Sequence, residues 1–197
     1  MKYLLVLCVA ALMLGCSTEG EIKIVNSTNH YIFVDYDNSS YVLEGEDSSS
    51  STLELSVDTG KRFLFWDNEG QEADITIEGE TYKMANADDN TTQMIVKPNE
   101  VSYAYLNPTH AAVKIFNNAA QEISDFGYYK DDGNFTPIIT ENIVPGDSLY
   151  FHLAPSSQED VISYRFEYRF EGEADMTSTG VINTLYIDEM FEINVLF

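Results

Sequence analysis

Val113-Lys114-Ile115-Phe116-Asn117 repeats, 91 residues further along, the run Ile22-Lys23-Ile24-Val25-Asn26. Both runs place β-branched residues at every second position, the period of a strand with one buried face, and both end on asparagine, a turn former. Three more matches follow in the same order. Asp147-Ser148 with Phe151-His152-Leu153 echoes Asp47-Ser48 with Leu53-Glu54-Leu55. Arg165-Phe166-Glu167-Tyr168 echoes Arg62-Phe63-Leu64-Phe65, and Leu185, Ile187, Phe191, Ile193 and Val195 echo Ile95, Val101, Tyr103 and Tyr105 at an offset of 90. Matches held in one order at a nearly constant spacing are the mark of an internal repeat, with the drift absorbed in surface loops. The chain is therefore expected to be all-β, with two tandem antiparallel immunoglobulin-like β-sandwich domains over 21–107 and 113–197 and a linker at 108–112.

The runs between these anchors fit that reading. No segment after residue 16 keeps a helical period, and the 13 tyrosines and 11 phenylalanines favour strands. Residues 22–26 and 31–36 are expected to pair across the turn Asn26-Ser27-Thr28-Asn29, and Asp37-Asn38-Ser39-Ser40 breaks the second run. Lys61-Arg62-Phe63-Leu64-Phe65-Trp66 reads as a central strand. Residues 94–96 and 101–105 are expected to close each other as a hairpin around Lys97-Pro98-Asn99-Glu100. The clearest strand is Tyr164, Phe166, Tyr168 and Phe170 facing a core, with Arg165, Glu167 and Arg169 on the wet side.

The N-terminus carries a different signal. Lys2, an apolar run over 3–14 and the small residue Gly15 form a cleaved secretory signal, 1–15, too short to span a bilayer. Its end, Leu12-Met13-Leu14-Gly15-Cys16, resembles the lipobox of bacterial lipoproteins, with Met13 where that family usually has leucine. The resemblance implies cleavage before Cys16, attachment of diacylglycerol to its thiol with palmitate among the acyl chains, and a membrane anchor. Residues 16–20 would be a short tether, and Ser17 lacks the aspartate that favours inner-membrane retention, which points to the outer membrane. Together with the Ile/Val-Lys-Ile-x-Asn strands and the turn Pro145-Gly146-Asp147-Ser148, the chain resembles a loose group of bacterial envelope lipoproteins with repeated β-sandwich domains of unknown function. The first copy departs from that pattern at Gly45-Glu46-Asp47-Ser48. The resemblance implies a fold and an address, and it carries no catalytic residue across.

Charge and chemistry narrow the function. The net charge is −23, and removing the signal takes away Lys2 and no acid, leaving nine basic against 33 acidic residues, or −24. Such a surface repels nucleic acid. With Cys8 in the signal and Cys16 acylated, no thiol is left for a disulfide, a metal or a nucleophile. There is no Gly-x-Ser-x-Gly elbow and no phosphate loop, and His30, His110 and His152 stand alone in the sequence. The expectation is a protein without enzymatic activity or cofactor. Asp35 and Asp37, Asp88 and Asp89, and Asp131 and Asp132 lie in clusters that suit either calcium or plain hairpin turns. Trp66, Tyr128 and Tyr129 could stack on a glycan or fill a core. Phe191, Ile193 and Val195 alternate like the last strand of an outer-membrane barrel, but the same alternation at Val101, Tyr103 and Tyr105 in mid-chain makes it a feature of the repeat. The role expected is a structural, adhesive or binding one at the envelope toward a protein or glycan partner, with a solute- or calcium-binding accessory lipoprotein using acidic loops as the alternative.

Overall fold

The computed structural model describes residues 17–61, 70–84, 90–131, 133–182 and 184–196, and among them it holds fourteen strands and no helix. The chain packs as two units. Unit 1 takes its residues from the chain up to Ser27, from Ile32–Glu78 and from Met84–Leu106; unit 2 takes Asn107–Phe197 together with Thr28–Tyr31 and Gly79–Lys83. The sequence regions around Cys16, the run 62–66 with Trp66, and Asp88, Asp89 and Asp132 lie outside the described residues.

Unit 1 holds β1 (Ser17–Asn26), β2 (Ile32–Tyr36), β3 (Ser39–Leu43), β4 (Thr52–Lys61), β5 (Gln71–Gly79), β6 (Thr91–Val96) and β7 (Val101–Leu106). They form one sheet in the order β4-β1-β7 and another in the order β3-β2-β5-β6. Ile22, Ile24, Ile32, Val34, Ile75 and Val96 supply the buried side chains, each fully out of solvent. At roughly 1.5–3 kcal/mol per large aliphatic side chain, this burial is the main support of the unit.

Four expectations change here. β1 and β2 do not pair; they sit in different sheets, with β2 bonded to β3. Asn26 makes the corner between sheets, its Nδ2 donating to the Glu44 carbonyl at 2.7 Å and its backbone N–H to the Ser51 carbonyl at 2.8 Å. The true hairpin is β2–β3, where Asp37 and Asn38 have φ of 48° and 59°. Positive φ at both central residues is the two-residue turn that matches strand twist, so the Asp-Asn pair reverses the run where the sequence suggested only a break. β6 and β7 are likewise no hairpin, since β6 pairs with β5 and β7 runs parallel to β1. The crossing at 97–100 is held by the Asn99 N–H donating to the Glu19 carbonyl at 2.8 Å, with Asn99 at φ 58°. The expected tether at 16–20 is also strand from Ser17 onward, paired with β4 through Ser17–Lys61 and Glu19–Asp58.

Unit 2 holds β8 (Ala111–Asn117), β9 (Ile123–Lys130), β10 (Phe135–Pro137), β11 (Ser148–Leu153), β12 (Tyr164–Phe170), β13 (Thr177–Ile182) and β14 (Met190–Val195). Its sheets run β11-β8-β14 and β10-β9-β12-β13. β8 pairs antiparallel with β11 and parallel with β14, as β1 does with β4 and β7. One apolar cluster joins both sheets, with Val113, Ile115, Phe126, Phe166, Ile193 and Val195 among its members. Phe166 stacks on Phe126 and on Phe191, each with ring centroids 6.0 Å apart, geometries worth about 0.5–1.5 kcal/mol apiece beyond area burial. β12 has the two faces expected of it: Tyr164, Phe166 and Phe170 are buried, while Arg165, Glu167 and Arg169 are half-exposed. Tyr164 keeps its polar end satisfied by donating to the Ala154 carbonyl at 3.0 Å, and burial, followed by Tyr128 and Asp131, pushes its phenol up to about 12.

The terminal strands of the two units do not match in phase. In β14, Ile193 and Val195 are buried, opposite Ile115 and Asn117 of β8. In β7 the inward residues opposite Ile24 and Asn26 are Ala104 and Leu106, while Val101, Tyr103 and Tyr105 are 43%, 53% and 62% exposed. The expected equivalence of Val101, Tyr103 and Tyr105 with Phe191, Ile193 and Val195 is thus wrong by one residue. A slip of one residue turns a whole strand face over.

Candidate functional site

The outward face of sheet β4-β1-β7 is a grid of three rows, fixed by the strand registers. Ser56, Glu21 and Val101 form the first row, Glu54, Lys23 and Tyr103 the second, Thr52, Val25 and Tyr105 the third. The Tyr103 and Tyr105 rings lie 5.9 Å apart with planes within 7° of parallel. Lys23 is the only cation in the grid, and its Nζ reaches Glu54 Oε1 at 2.5 Å. The hydrogen bond and the charge of Glu54 hold the Lys23 ammonium above the ordinary lysine value, with Tyr103 and Glu21 adding to the effect.

Beyond the first row the face opens into a cleft of about 440 Å³ lined by Glu19, Glu21, Glu54, Glu100, Ser56 and Asn99, with Val101 at its rim. Ser56 Oγ donates to Glu19 Oε2 at 3.0 Å. Among the described residues no lysine, arginine or histidine pairs with Glu19, Glu21 or Glu100. Gly20 contributes backbone to the cleft, and on the buried side of β1 a Cβ there would lie 2.4 Å from the Lys97 carbonyl oxygen. The arrangement offers apolar and aromatic surface running into negative charge.

The residues singled out from the sequence go elsewhere. Asp35 is exposed on β2 and Asp37 sits in the β2–β3 turn. Asp131 closes the end of β9 at φ 48°, its Oδ1 accepting from Ser163 N–H at 2.7 Å and Ser163 Oγ at 3.2 Å. Among the described residues no three His, Cys, Asp or Glu side chains gather as a metal site. Tyr128 packs edge-on against Tyr164 at 5.5 Å and joins the core, and Tyr129 is covered by the Arg165 guanidinium, 4.1 Å from its ring centre, and by Phe135.

Two features escaped the sequence reading. One is the outward tyrosine pair, whose alternation reads the same whichever face is wet. The other is a histidine pair in unit 2: His110 and His152, 42 residues apart in the chain, have ring centroids 5.2 Å apart. His152 Nε2 donates to the Gly79 carbonyl at 2.7 Å, and His110 Nδ1 meets Thr109 Oγ1 at 2.8 Å. Burial, then His152 and then Lys83, lowers the His110 imidazole below the usual histidine value. Next to them, Asp188 takes Thr81 Oγ1 at 2.7 Å and the Asn29 side chain at 2.8 Å, and Lys114 Nζ meets the buried Glu80 Oε1 at 2.5 Å. These bonds tie Thr28–Tyr31 and Gly79–Lys83 into unit 2.

No protein-family model matches the chain, and no curated protein sequence does. Among solved structures it is similar to the Bacillus anthracis TIE protein, at 12% identity and a TM-score of 0.32 over 91% of this chain, which spans 34% of that one. It is also similar to a Streptococcus pyogenes major pilin, at 9% identity and a TM-score of 0.28, covering 92% of this chain and 97% of the pilin. A Bacteroides fragilis protein described as a candidate cell adhesion protein aligns at 10% identity and a TM-score of 0.30, over 87% of this chain and 80% of its own.

Proposed function

We propose that the chain is an exported protein of the bacterial cell envelope, anchored by diacylglycerol on Cys16, with the outer membrane as its location, and that its work is structural or adhesive and non-enzymatic. The observation that carries this is the sequence Lys2, the apolar run over 3–14 and then Gly15-Cys16. The two units would be tandem immunoglobulin-like sandwiches, 21–107 and 113–197. A two-chain lipid anchor of this kind holds stably where a single acyl chain is marginal.

The test is metabolic labelling with an alkyne palmitate in a Gram-negative host, followed by fractionation. Wild-type chain should carry the label and stay with the membranes, and Cys16→Ala should lose both. Label that survives in Cys16→Ala, or unlabelled wild-type chain in the soluble fraction, would sink the anchoring claim.

A further inference from the structure

We infer that the outward face of β7 is a docking strip for an extended, basic and apolar peptide segment of a partner protein. The inference rests on the adhesive reading above and names its partner class, but it does not depend on the anchor at Cys16.

Four observations converge on that occupant. Val101, Tyr103 and Tyr105 lie two residues apart along one strand, so the strip repeats every ~7 Å, the pitch of alternate side chains in any extended peptide. A helix offers its side chains at a different spacing, so an extended segment fits and a helix does not. β7 is, among the described residues, the edge of its sheet, the position at which an added strand can lie alongside. The strip runs into the cleft of Glu19, Glu21 and Glu100, none of which forms an ion pair among the described residues, so the segment should carry lysine or arginine beyond its apolar residues.

The second repeat shows that this face is not a requirement of the fold. At the positions matching Tyr103 and Tyr105, strand β14 turns Glu192 and Asn194 outward and keeps its apolar residues inside. Aromatic rings exposed on an acidic chain cost solubility and add nothing to the core, whereas tyrosine is a residue favoured in binding surfaces. The net charge of −23 works against the other occupants: a second copy, a polyanion or an anionic leaflet would each bring more negative charge to the same carboxylates.

The experiment uses the chain from Ser17 onward and a short fluorescent peptide of two lysines followed by alternating valines and threonines, read by anisotropy. Saturable binding is expected, weakened about tenfold or more by Tyr103→Ser with Tyr105→Ser, as for the removal of central aromatic contacts. Glu21→Gln with Glu100→Gln should weaken it several-fold and flatten its salt dependence. The same peptide with glutamates in place of the lysines should not bind. Because the replaced side chains point outward, an unchanged melting curve shows that each variant is folded. Equal binding by the double tyrosine variant, or by the acidic peptide, overturns the inference. So does tyrosine-dependent self-association in sedimentation, tyrosine-dependent binding to neutral phosphatidylcholine vesicles, or retardation by a neutral β-glucan that the tyrosine variant loses, each of which would name a different occupant. Loss of palmitate labelling with intact peptide binding would remove the anchor and leave the strip standing.

Discussion

Sheets β4-β1-β7 and β11-β8-β14 share strand order and direction, yet their outward faces are built in opposite ways. Lys23 and Lys114 hold the same place in their sheets. Lys23 crosses to the exposed Glu54 and leaves a tyrosine pair beside it; Lys114 turns to Glu80, whose side chain is 2% exposed, with the Phe116 ring centre 5.3 Å from its Nζ. What the two sheets share is the pairing of backbones. What it leaves open is which side of the last strand faces water, because that is set by where the crossing from the preceding strand ends.

The largest effect expected is at Glu80. Removing its carboxylate leaves the Lys114 ammonium, 18% exposed, without its partner, and breaking one side of a buried pair costs about 3–5 kcal/mol. Urea denaturation of Glu80→Ala should show a loss in that range in the transition assigned to unit 2. Adding Lys114→Met should recover most of it, since an uncharged side chain removes the orphan. A Glu80→Ala chain as stable as wild type would mean that the two lysines are equivalent after all.

The facing of the terminal strands comes next. Ile193→Ala should cost about 2–5 kcal/mol, the range for truncating a buried isoleucine, while Tyr103→Ala should stay within about 0.5 kcal/mol. Similar losses in both would restore the sequence reading that puts Val101, Tyr103 and Tyr105 in phase with Phe191, Ile193 and Val195.

That reading shows how far the sequence reaches. Alternation located β7 and β14 correctly as strands and β12 with both of its faces, because Arg165, Glu167 and Arg169 mark the wet side unambiguously. At Val101-Ser102-Tyr103-Ala104-Tyr105 neither set is charged, and large apolar residues look like core wherever they lie. The register with β1 decides the matter, and register is a tertiary property. Pairing partners failed for the same reason: Asn26 and the 97–100 segment send the chain to the other sheet, and nothing local separates such a crossing from a hairpin. The Asp37-Asn38 turn is legible in type, since Asp and Asn tolerate positive φ, but the sequence alone marks the end of a run and not its reversal. The histidine pair was not legible, its members being brought together by the pairing of His152 with Ala112 across β11 and β8.

A smaller effect separates the units by pH. His110 has its imidazole lowered by burial first, so its neutral form is the one unit 2 favours. A depressed histidine contributes stability that is present above the ordinary value of 6.5 and is lost as pH falls toward and through the folded value. Acid also relieves repulsion among the 33 carboxyl groups, so the test must be a difference. Between about pH 7.5 and pH 5.5, His110→Asn should gain melting temperature relative to wild type, since it has no proton to take up. Parallel curves would show that the pair is not felt by the fold.

The smallest effect belongs to Lys23. Its partner Glu54 is well exposed, and solvent and salt screen an ion pair of that kind until little remains. Lys23→Ala should leave the melting temperature unchanged at physiological salt, in contrast to the lysine at the matching place in β8. Its consequence should appear on the surface. Without the ammonium, Glu54 joins Glu19, Glu21 and Glu100 as an unpaired carboxylate, across β1 from Tyr103, so binding of the lysine-bearing peptide should tighten and grow steeper with falling salt. If Lys23→Ala weakens that binding, Lys23 is a contact in its own right, and the face selects an acidic partner group in place of a basic one.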